Sequence, residues 1–143
     1  MPRYYTIASS SLAHPNELMI AVSLSRFEVD LGNGKKVIRN GLVSGFLEAI
    51  HKQHMQAPTL PIEASVMCFV KESNFTMPAT HDTPMFMVGP GTGLVPFIGF
   101  MQERNKARQN NSDVALGTAS LFFGCRKHDQ DFIYRDEMHA MKD

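Results

Sequence analysis

The spacing of apolar and polar positions changes near residue 80, and the two parts predict different structures. In the first part, residues 3–9 and 17–29 are rich in Tyr, Thr, Ile and Val, which favours extended chain. Apolar residues at every second position over residues 61–70 predict a strand with one apolar face. Asn33 and Gly34 predict a type I′ turn, because both central residues of that turn need a positive φ.

A helix is predicted between these extended stretches. Asn40 suits the N-cap, because its side chain can accept a hydrogen bond from the first turn. An apolar stripe at helical spacing follows, formed by Leu42, Phe46, Leu47 and Ile50. We expect the helix to end near His54, before two prolines.

Strands and helices alternate in the second part. Residues 85–88 form a short continuous apolar run, typical of a strand buried on both faces, and residues 118–123 predict another. Helices are predicted over residues 94–109 and 132–141, and Pro96 is tolerated in the first turn of the former. This order of strand, glycine-rich loop, helix, strand and helix is typical of the start of a doubly wound parallel sheet.

Composition and charge exclude several classes of function. The 143 residues suit one domain or two incomplete ones. With 43% hydrophobic and 20% charged residues, the chain is unlike a disordered one. Fourteen basic and fourteen acidic residues cancel, so the broad basic field of nucleic-acid-binding proteins is absent. No apolar run approaches the ~20 residues that span a bilayer. We expect no nucleic-acid partner and no membrane segment in this chain.

Metal-ligating and charged residues add no further site. Cys68 and Cys125 are far apart and have no nearby Cys partner, which excludes a Cys-rich zinc site. His51 and His54 are spaced to share a helix face but have no third ligand nearby, so we expect no metal site. The basic helix face Arg104, Lys106 and Arg108 is interpreted as solvated, and docking of an acidic partner stays open as an alternative. The acidic residues are interpreted as helix N-terminal and surface charge; they are Asp129, Asp131, Asp136 and Glu137.

The candidate chemistry centres on the glycine-rich segment 88–93, between a predicted strand and a predicted helix. Glycines let the backbone turn sharply and approach a ligand closely. The free N–H groups and the dipole at a helix N-terminus favour an anion, and Thr92 adds a hydroxyl donor. The segment matches neither the dinucleotide fingerprint nor a Walker loop. On these residues alone, a phosphate site and a tight structural turn both stay open.

Two other segments contain residue types suited to a nucleotide. On a strand, Arg3 and Tyr5 share one face, and an arginine beside an aromatic ring can pair with a phosphate and stack on a flat ring system. Residues 41–44 open a predicted helix, where backbone N–H groups and the Ser44 hydroxyl can hold a phosphate. Taken singly, each segment is explained better without a ligand, the first as a surface strand and the second as a capped helix.

Together and in this order, the three segments resemble the ferredoxin–NADP reductase superfamily and, within it, the diflavin reductases. The matching motifs lie in residues 3–16, 41–47, 69–78, 87–104 and 123–137. The resemblance covers nearly the whole chain and is weakest over residues 33–62, outside the glycine-led helix start.

The resemblance implies a fold of mixed α+β and α/β class. Residues 1–80 would form the C-terminal part of an antiparallel FAD-binding β-barrel, and residues 81–143 the first part of a doubly wound parallel NADP-binding domain. The family's FMN-binding domain, membrane anchor, connecting domain and first barrel strands would precede this sequence. The later part of the NADP-binding domain would follow it.

The resemblance also implies roles for individual residues. Arg3 would pair with the FAD phosphates and Tyr5 would stack on the isoalloxazine ring. Thr6 would be catalytic, since it stands where the family has a serine whose hydroxyl assists hydride transfer; threonine keeps the hydroxyl and stiffens χ1. The other implied FAD contacts are Tyr4, Ala21, Val22, Ser23, Phe27, Gly41, Leu42, Val43 and Ser44, and the implied NADP contacts are Gly91, Thr92, Gly93, Cys125 and Arg126.

The implied activity is hydride transfer from NADPH to FAD, followed by electron transfer through FMN to a haem protein of the cytochrome P-450 type. The implied location is the cytoplasm or the cytoplasmic face of the endoplasmic reticulum. The preference for NADPH over NADH follows from the family alone, and we expect the isolated chain to be catalytically incomplete. Two alternatives stay open: a nucleotide-binding module without turnover, and part of another diflavin enzyme such as sulfite reductase flavoprotein or nitric oxide synthase.

Overall fold

The computed structural model describes residues 2–59 and 64–141, which form two compact units. The first unit contains residues 2–3, 22–59 and 64–73, and the second contains residues 4–21 and 74–141. The division at residue 80 that the family resemblance implies concerns cofactor-binding domains, and it stays a prediction. In the structure, residues 4–21 and 74–80 belong to the same compact unit as residues 81–141.

The first unit contains a hairpin of two antiparallel strands, β1 (Arg26–Asp30) and β2 (Lys36–Asn40). Its turn is longer than the predicted type I′ turn, because five residues connect the strands. The positive φ angles lie at Gly32 and Gly34, and Asn33 has none. Asn33 instead accepts the Lys35 N–H at 3.1 Å through its side-chain oxygen, which stabilises the wider turn.

The helix of the first unit is α1 (Leu42–Gln56), and it ends two residues beyond the predicted His54. Gly41 takes the N-cap position instead of Asn40, which is the last residue of β2. A Cβ on Gly41 would lie 2.5 Å from the Oγ of Ser44 and 2.9 Å from the Cβ of Ser25, so the side chains of these two serines leave room only for glycine. The apolar stripe is only partly covered, since Leu42 is 81% exposed.

Neither residues 3–9 nor residues 64–70 form the strands that were predicted over residues 3–9 and 61–70. Residues 3–9 contain one isolated antiparallel bridge, between Ile7 and Ile20. Residues 60–63 lie outside the described residues, and residues 64–70 are exposed and form no strand. Alternation predicted a strand there, but strand formation also depends on pairing with segments far away in the sequence, which alternation does not reveal. The implied FAD-binding barrel therefore stays a prediction.

The second unit confirms the mixed fold with a parallel sheet. Its strands are β3 (Met85–Pro90) and β4 (Ala119–Gly124), which pair in parallel. A 3-10 turn (Gly91–Leu94) leads from β3 into α2 (Val95–Asn110), which has Pro96 in its first turn. The last helix, α3 (Arg135–Ala140), is shorter than the predicted 132–141. The crossover through α2 makes this a strand–helix–strand unit.

The core of the second unit lies between the sheet and α2. Met85, Met87 and Phe97 are buried together, and Phe100, Met101 and Leu121 pack against them. The other face of β3 is open, which corrects the expectation of a strand buried on both faces. Phe86 is 73% and Val88 is 61% exposed, because α2 covers only the opposite face.

Candidate functional site

The carboxyl ends of the two parallel strands place the implied NADP contacts side by side. Pro90 and Gly124 are the last residues of β3 and β4 and lie opposite each other. Gly91 and Cys125 follow directly, so both loops leave the sheet at one edge. Ligands of open parallel sheets bind outside this edge. Gly91, Thr92 and Gly93 on one loop and Cys125 and Arg126 on the other are all exposed there.

In the glycine-rich loop, Gly89 is closely packed and Gly91 faces open space. A Cβ on Gly89 would lie 2.7 Å from the Cα of Leu94, so only glycine allows the chain to fold back this closely. Leu94 is fully buried and fixes the end of the loop. A Cβ on Gly91 would meet nothing within 4 Å, so there is room for a ligand beside the start of α2. This arrangement fits a phosphate group at a helix N-terminus.

The loop after β4 is organised by Asp131. The carboxylate of Asp131 accepts the backbone N–H of Lys127 at 2.6 Å and that of Arg126 at 3.0 Å. It also contacts Nε of Arg126 at 3.4 Å, while the Arg126 side chain is 93% exposed. The N–H groups of Lys127 and Arg126 lower the pKa of Asp131, so the carboxylate is charged at neutral pH. Sequence reasoning treated Asp131 as surface charge and missed this contact.

The implied flavin contacts Tyr4, Tyr5 and Thr6 lie on an exposed stretch of the second unit. Tyr4 is 70% and Tyr5 is 37% exposed, so both rings have accessible surface for stacking. The next residues are fixed: Ala8 is 1% exposed, and its N–H donates to the carbonyl of Met19 at 2.8 Å. Ala21, which is half-buried, ends the same segment. The accessible rings of Tyr4 and Tyr5 are suited to stacking on a flat aromatic ligand such as a flavin ring.

Ser10 joins this segment to α2. Ser10 is 5% exposed, and its N–H donates to Oε1 of Gln102 at 3.0 Å. Its hydroxyl donates to the carboxylate of Glu103 and accepts the N–H groups of Leu12 and Ala13. Sequence reasoning missed this contact, because three consecutive serines do not show which one is buried.

The other implied flavin contacts lie in the first unit. Arg3 and Ser23 are exposed, Phe27 is 53% exposed on β1, and Val22 is half-buried. Residues 41–44 open α1, and Gly41 has no side chain that could accept the N–H groups of the first turn, although its carbonyl accepts the Gly45 N–H at 2.8 Å. Ser44 is 5% exposed and accepts the Ser25 N–H at 3.2 Å, so the structure uses this hydroxyl within the unit. The backbone of this turn fits an anion better than the Ser44 side chain does.

The described residues contain neither a metal-binding cluster nor a membrane-spanning helix. Over residues 2–59 and 64–141, no group of three or more His, Cys, Asp or Glu side chains is placed to hold a metal ion. In the same part of the chain, no helix has the length and apolar character needed to cross a membrane.

The chain is similar in sequence to known oxidoreductases. Residues 87–143 match the family described as an oxidoreductase NAD-binding domain. Over 136 residues, which are 95% of the chain, the sequence is 40% identical to the NADPH–cytochrome P-450 reductases of Homo sapiens and Bos taurus. It is 39% identical over 137 residues to the enzyme of that name from Musca domestica. The resemblance to the diflavin reductases is thereby confirmed. The chain spans about a fifth of these relatives, 19% for the human protein.

Proposed function

We propose that this chain, as a relative of the NADPH–cytochrome P-450 reductases, holds NADPH and FAD in an oxidoreductase that transfers hydride between them. The observation that carries the proposal is the shared sheet edge, where the glycine-rich loop and Arg126 lie on adjacent strands. A phosphate-bearing nucleotide is the ligand class that suits backbone N–H groups beside a helix start and an exposed guanidinium. The division into residues 1–80 for FAD and 81–143 for NADP is part of this proposal.

The nucleotide side of the site would work by charge and hydrogen bonding. Backbone N–H groups of residues 91–93 and the Thr92 hydroxyl would donate to phosphate oxygens. The Arg126 guanidinium would add charge, because Asp131 contacts only its Nε and leaves the terminal nitrogens available. Cys125 would lie beside the nucleotide, since it precedes Arg126 in the same exposed loop.

FAD, when bound, supplies the redox chemistry by accepting a hydride and releasing its electrons singly. Tyr5, supported by Tyr4, would bind its ring by stacking, and the Thr6 hydroxyl would hold a hydrogen bond at the reacting edge. Arg3 and residues 41–44 would bind its phosphates, and its adenosine end would be held by Ala21, Val22, Ser23 and Phe27. NADPH as the preferred nucleotide, FMN as the next carrier, a cytochrome P-450 type haem protein as acceptor and a cytoplasmic or endoplasmic-reticulum location complete the proposal.

The test is a titration of the purified chain with FAD, followed by NADPH without oxygen. We expect a saturable change in the flavin spectrum and, because the isolated chain is expected to be catalytically incomplete, only slow bleaching when NADPH is added. Tyr5→Ala should weaken FAD binding by about tenfold, because a stacked aromatic contact is lost. Tyr134→Phe is the matched control, since Tyr134 lies beside α3 and is no implied flavin contact.

Each outcome of this titration has a defined meaning. Binding that Tyr5→Ala weakens, followed by bleaching, supports the proposal. Binding without bleaching favours a nucleotide-binding module without turnover. A folded chain that binds neither FAD nor NADPH would overturn the proposal.

A further inference from the structure

We propose that Ser10, Gln102 and Glu103 form an anchor that positions the Tyr5–Thr6 backbone relative to the nucleotide loop, so that Ser10 and Glu103 are positioning residues of hydride transfer. This inference rests on the proposed function. All the residues concerned lie in the second unit of the chain.

The anchor uses every hydrogen-bonding position of the Ser10 hydroxyl. A serine hydroxyl has one donor and two acceptor positions. In Ser10 the donor faces Glu103, and the acceptors take the N–H groups of Leu12 at 3.1 Å and Ala13 at 3.2 Å. The backbone N–H adds the bond to Gln102. Together these bonds hold the buried serine in a single orientation.

The segment also lies directly along α2. A Cβ placed on Gly99 would be 3.5 Å from the backbone carbons of Ala8 and Ser9, which is ordinary van der Waals contact. Gly99 and Ala8 are both buried. The backbone of residues 8–10 is therefore held against α2 by packing at Gly99 and by hydrogen bonds at Gln102 and Glu103.

One helix connects this anchor with the nucleotide loop. α2 begins at Val95, directly after the 3-10 turn of the glycine-rich loop. Glu103 stands eight residues further along, about 12 Å at the rise of an α-helix. The segment that contains Tyr4, Tyr5 and Thr6 and the glycine-rich loop 91–93 are thus attached to two points of the same rigid element.

This geometry gives the anchor a role beyond stability. Tyr5 and Thr6 precede Ser10 by only a few residues. Ala8, which lies between Thr6 and Ser10, is fixed by the hydrogen bond from its N–H to the carbonyl of Met19. A displacement of Ser10 would therefore shift the backbone that presents the Tyr5 ring and the Thr6 hydroxyl. Misplacement by about 1 Å can cost on the order of a hundredfold in rate when two groups must meet at reaction distance.

The first test needs no cofactor. Amide hydrogen exchange is measured over residues 4–21 in the purified chain, in Glu103→Ala, in Glu103→Gln and in the control Asn105→Ala. Asn105 is an exposed residue of the same helix. We expect Glu103→Ala to lower protection of residues 4–21 by about tenfold, the equivalent of one hydrogen bond to a charged group, and to leave β3 unchanged. Glu103→Gln should keep most of the protection, because its amide oxygen still accepts the Ser10 hydroxyl.

The second test uses the chain loaded with FAD. Rapid-mixing absorbance gives the limiting rate of flavin bleaching by NADPH, and titration gives the dissociation constants of FAD and NADPH. We expect Glu103→Ala to lower the limiting rate by on the order of ten- to a hundredfold, with both dissociation constants changed less than about threefold. Glu103→Gln should recover most of the rate, and Asn105→Ala should behave as the unaltered chain.

Two results would overturn the anchor. One is unchanged exchange of residues 4–21 in Glu103→Ala; the other is looser exchange with an unchanged limiting rate, which would make the contact structural only. If the unaltered chain is not bleached by NADPH, the proposed function fails and the hydride-transfer role fails with it. The exchange experiment reports separately whether the anchor exists.

Discussion

Arg104 and His81 are joined by a hydrogen bond of 2.6 Å between a terminal guanidinium nitrogen of Arg104 and the backbone carbonyl of His81. A second terminal nitrogen donates to the carbonyl of Gly117. Arg104 is only 5% exposed, and burial lowers the pKa of its guanidinium. The expected solvated basic face of α2 is therefore wrong at this position. Arg104 ties together the segments that precede β3 and β4.

Replacing Arg104 with methionine should destabilise the chain. Arg104→Met keeps most of the side-chain volume but removes the donor to the Gly117 carbonyl and one of the two donors to the His81 carbonyl, which still accepts the Gly117 N–H at 2.9 Å. We expect the free energy of unfolding to fall by about 1–3 kcal/mol, the cost of one buried polar group left unsatisfied. Urea denaturation followed by circular dichroism measures this. Lys106→Met, on the same helix, is the control and should change stability by less than about 0.5 kcal/mol. Equal stability of the two variants would contradict the structural role of Arg104.

Replacing Asp131 with asparagine should weaken nucleotide binding. Asp131→Asn removes the negative charge that holds two backbone N–H groups and the Arg126 guanidinium, so the loop after β4 would no longer be fixed. Calorimetric titration with NADP⁺ should show affinity lowered about three- to tenfold, as for one lost hydrogen bond. The comparison variant is Asp136→Asn, an exposed acidic residue of α3. In an Arg126→Ala background the effect of Asp131→Asn should shrink, and an undiminished effect would contradict a role through Arg126.

The loop after β4 should lose its order only in strong acid. The pKa of Asp131 is lowered from its ordinary 3.8, with the N–H group of Lys127 as the largest cause. A carboxyl group whose pKa is lower in the folded state stabilises that state above the unfolded pKa, and the contribution disappears as the pH falls through the folded pKa. We therefore expect no change in this loop from about pH 7 to about pH 5 and loss of the Asp131 contacts below 3.8. The NMR chemical shift of the Asp131 carboxyl carbon reports its protonation, and that of the Lys127 amide reports the loss of the hydrogen bond. A titration midpoint of Asp131 above 3.8 would contradict the hydrogen bonds.

Adding one methyl group at Gly89 should disturb the glycine-rich loop. A Cβ there would lie 2.7 Å from the Cα and 2.8 Å from the nitrogen of Leu94, and backbone atoms move only together with the whole turn. We expect Gly89→Ala to lower the free energy of unfolding by about 1–3 kcal/mol, the usual cost of overpacking. The matched variant is Gly93→Ala, whose Cβ would meet Pro90 at an ordinary 3.5 Å. Thermal unfolding of both variants decides the point, and the prediction fails if Gly89→Ala is the more stable of the two.

Local signals explain which parts of the fold were predictable. The apolar run of β3, the glycines after it and the proline in the first turn of α2 each act within a few residues, and all three elements form where the sequence places them. The implied NADP contacts meet at one edge for the same reason, because adjacent parallel strands end together.

Long-range contacts explain what was missed. Arg104 and Ser10 are buried by partners far away in the sequence, and no local pattern marks either residue. Residues 64–70 have the alternation of a strand but form none, because strand pairing depends on segments far away in the sequence. Phe86 is apolar in sequence yet exposed, because burial of a sheet face depends on what covers it.

The contact between Ser10 and Glu103 spans 93 positions of sequence, and this separation has a consequence for synthesis on the ribosome. Translation at about 5–20 residues per second means that residues 4–21 leave the ribosome roughly 5–20 seconds before the α2 residues that hold them. During this interval Ala8 and Ser10 lack the neighbours that bury them in the finished chain. The segment 4–21, with its implied flavin contacts, should therefore be among the last parts of its unit to become resistant to protease, although it is made before residues 74–141.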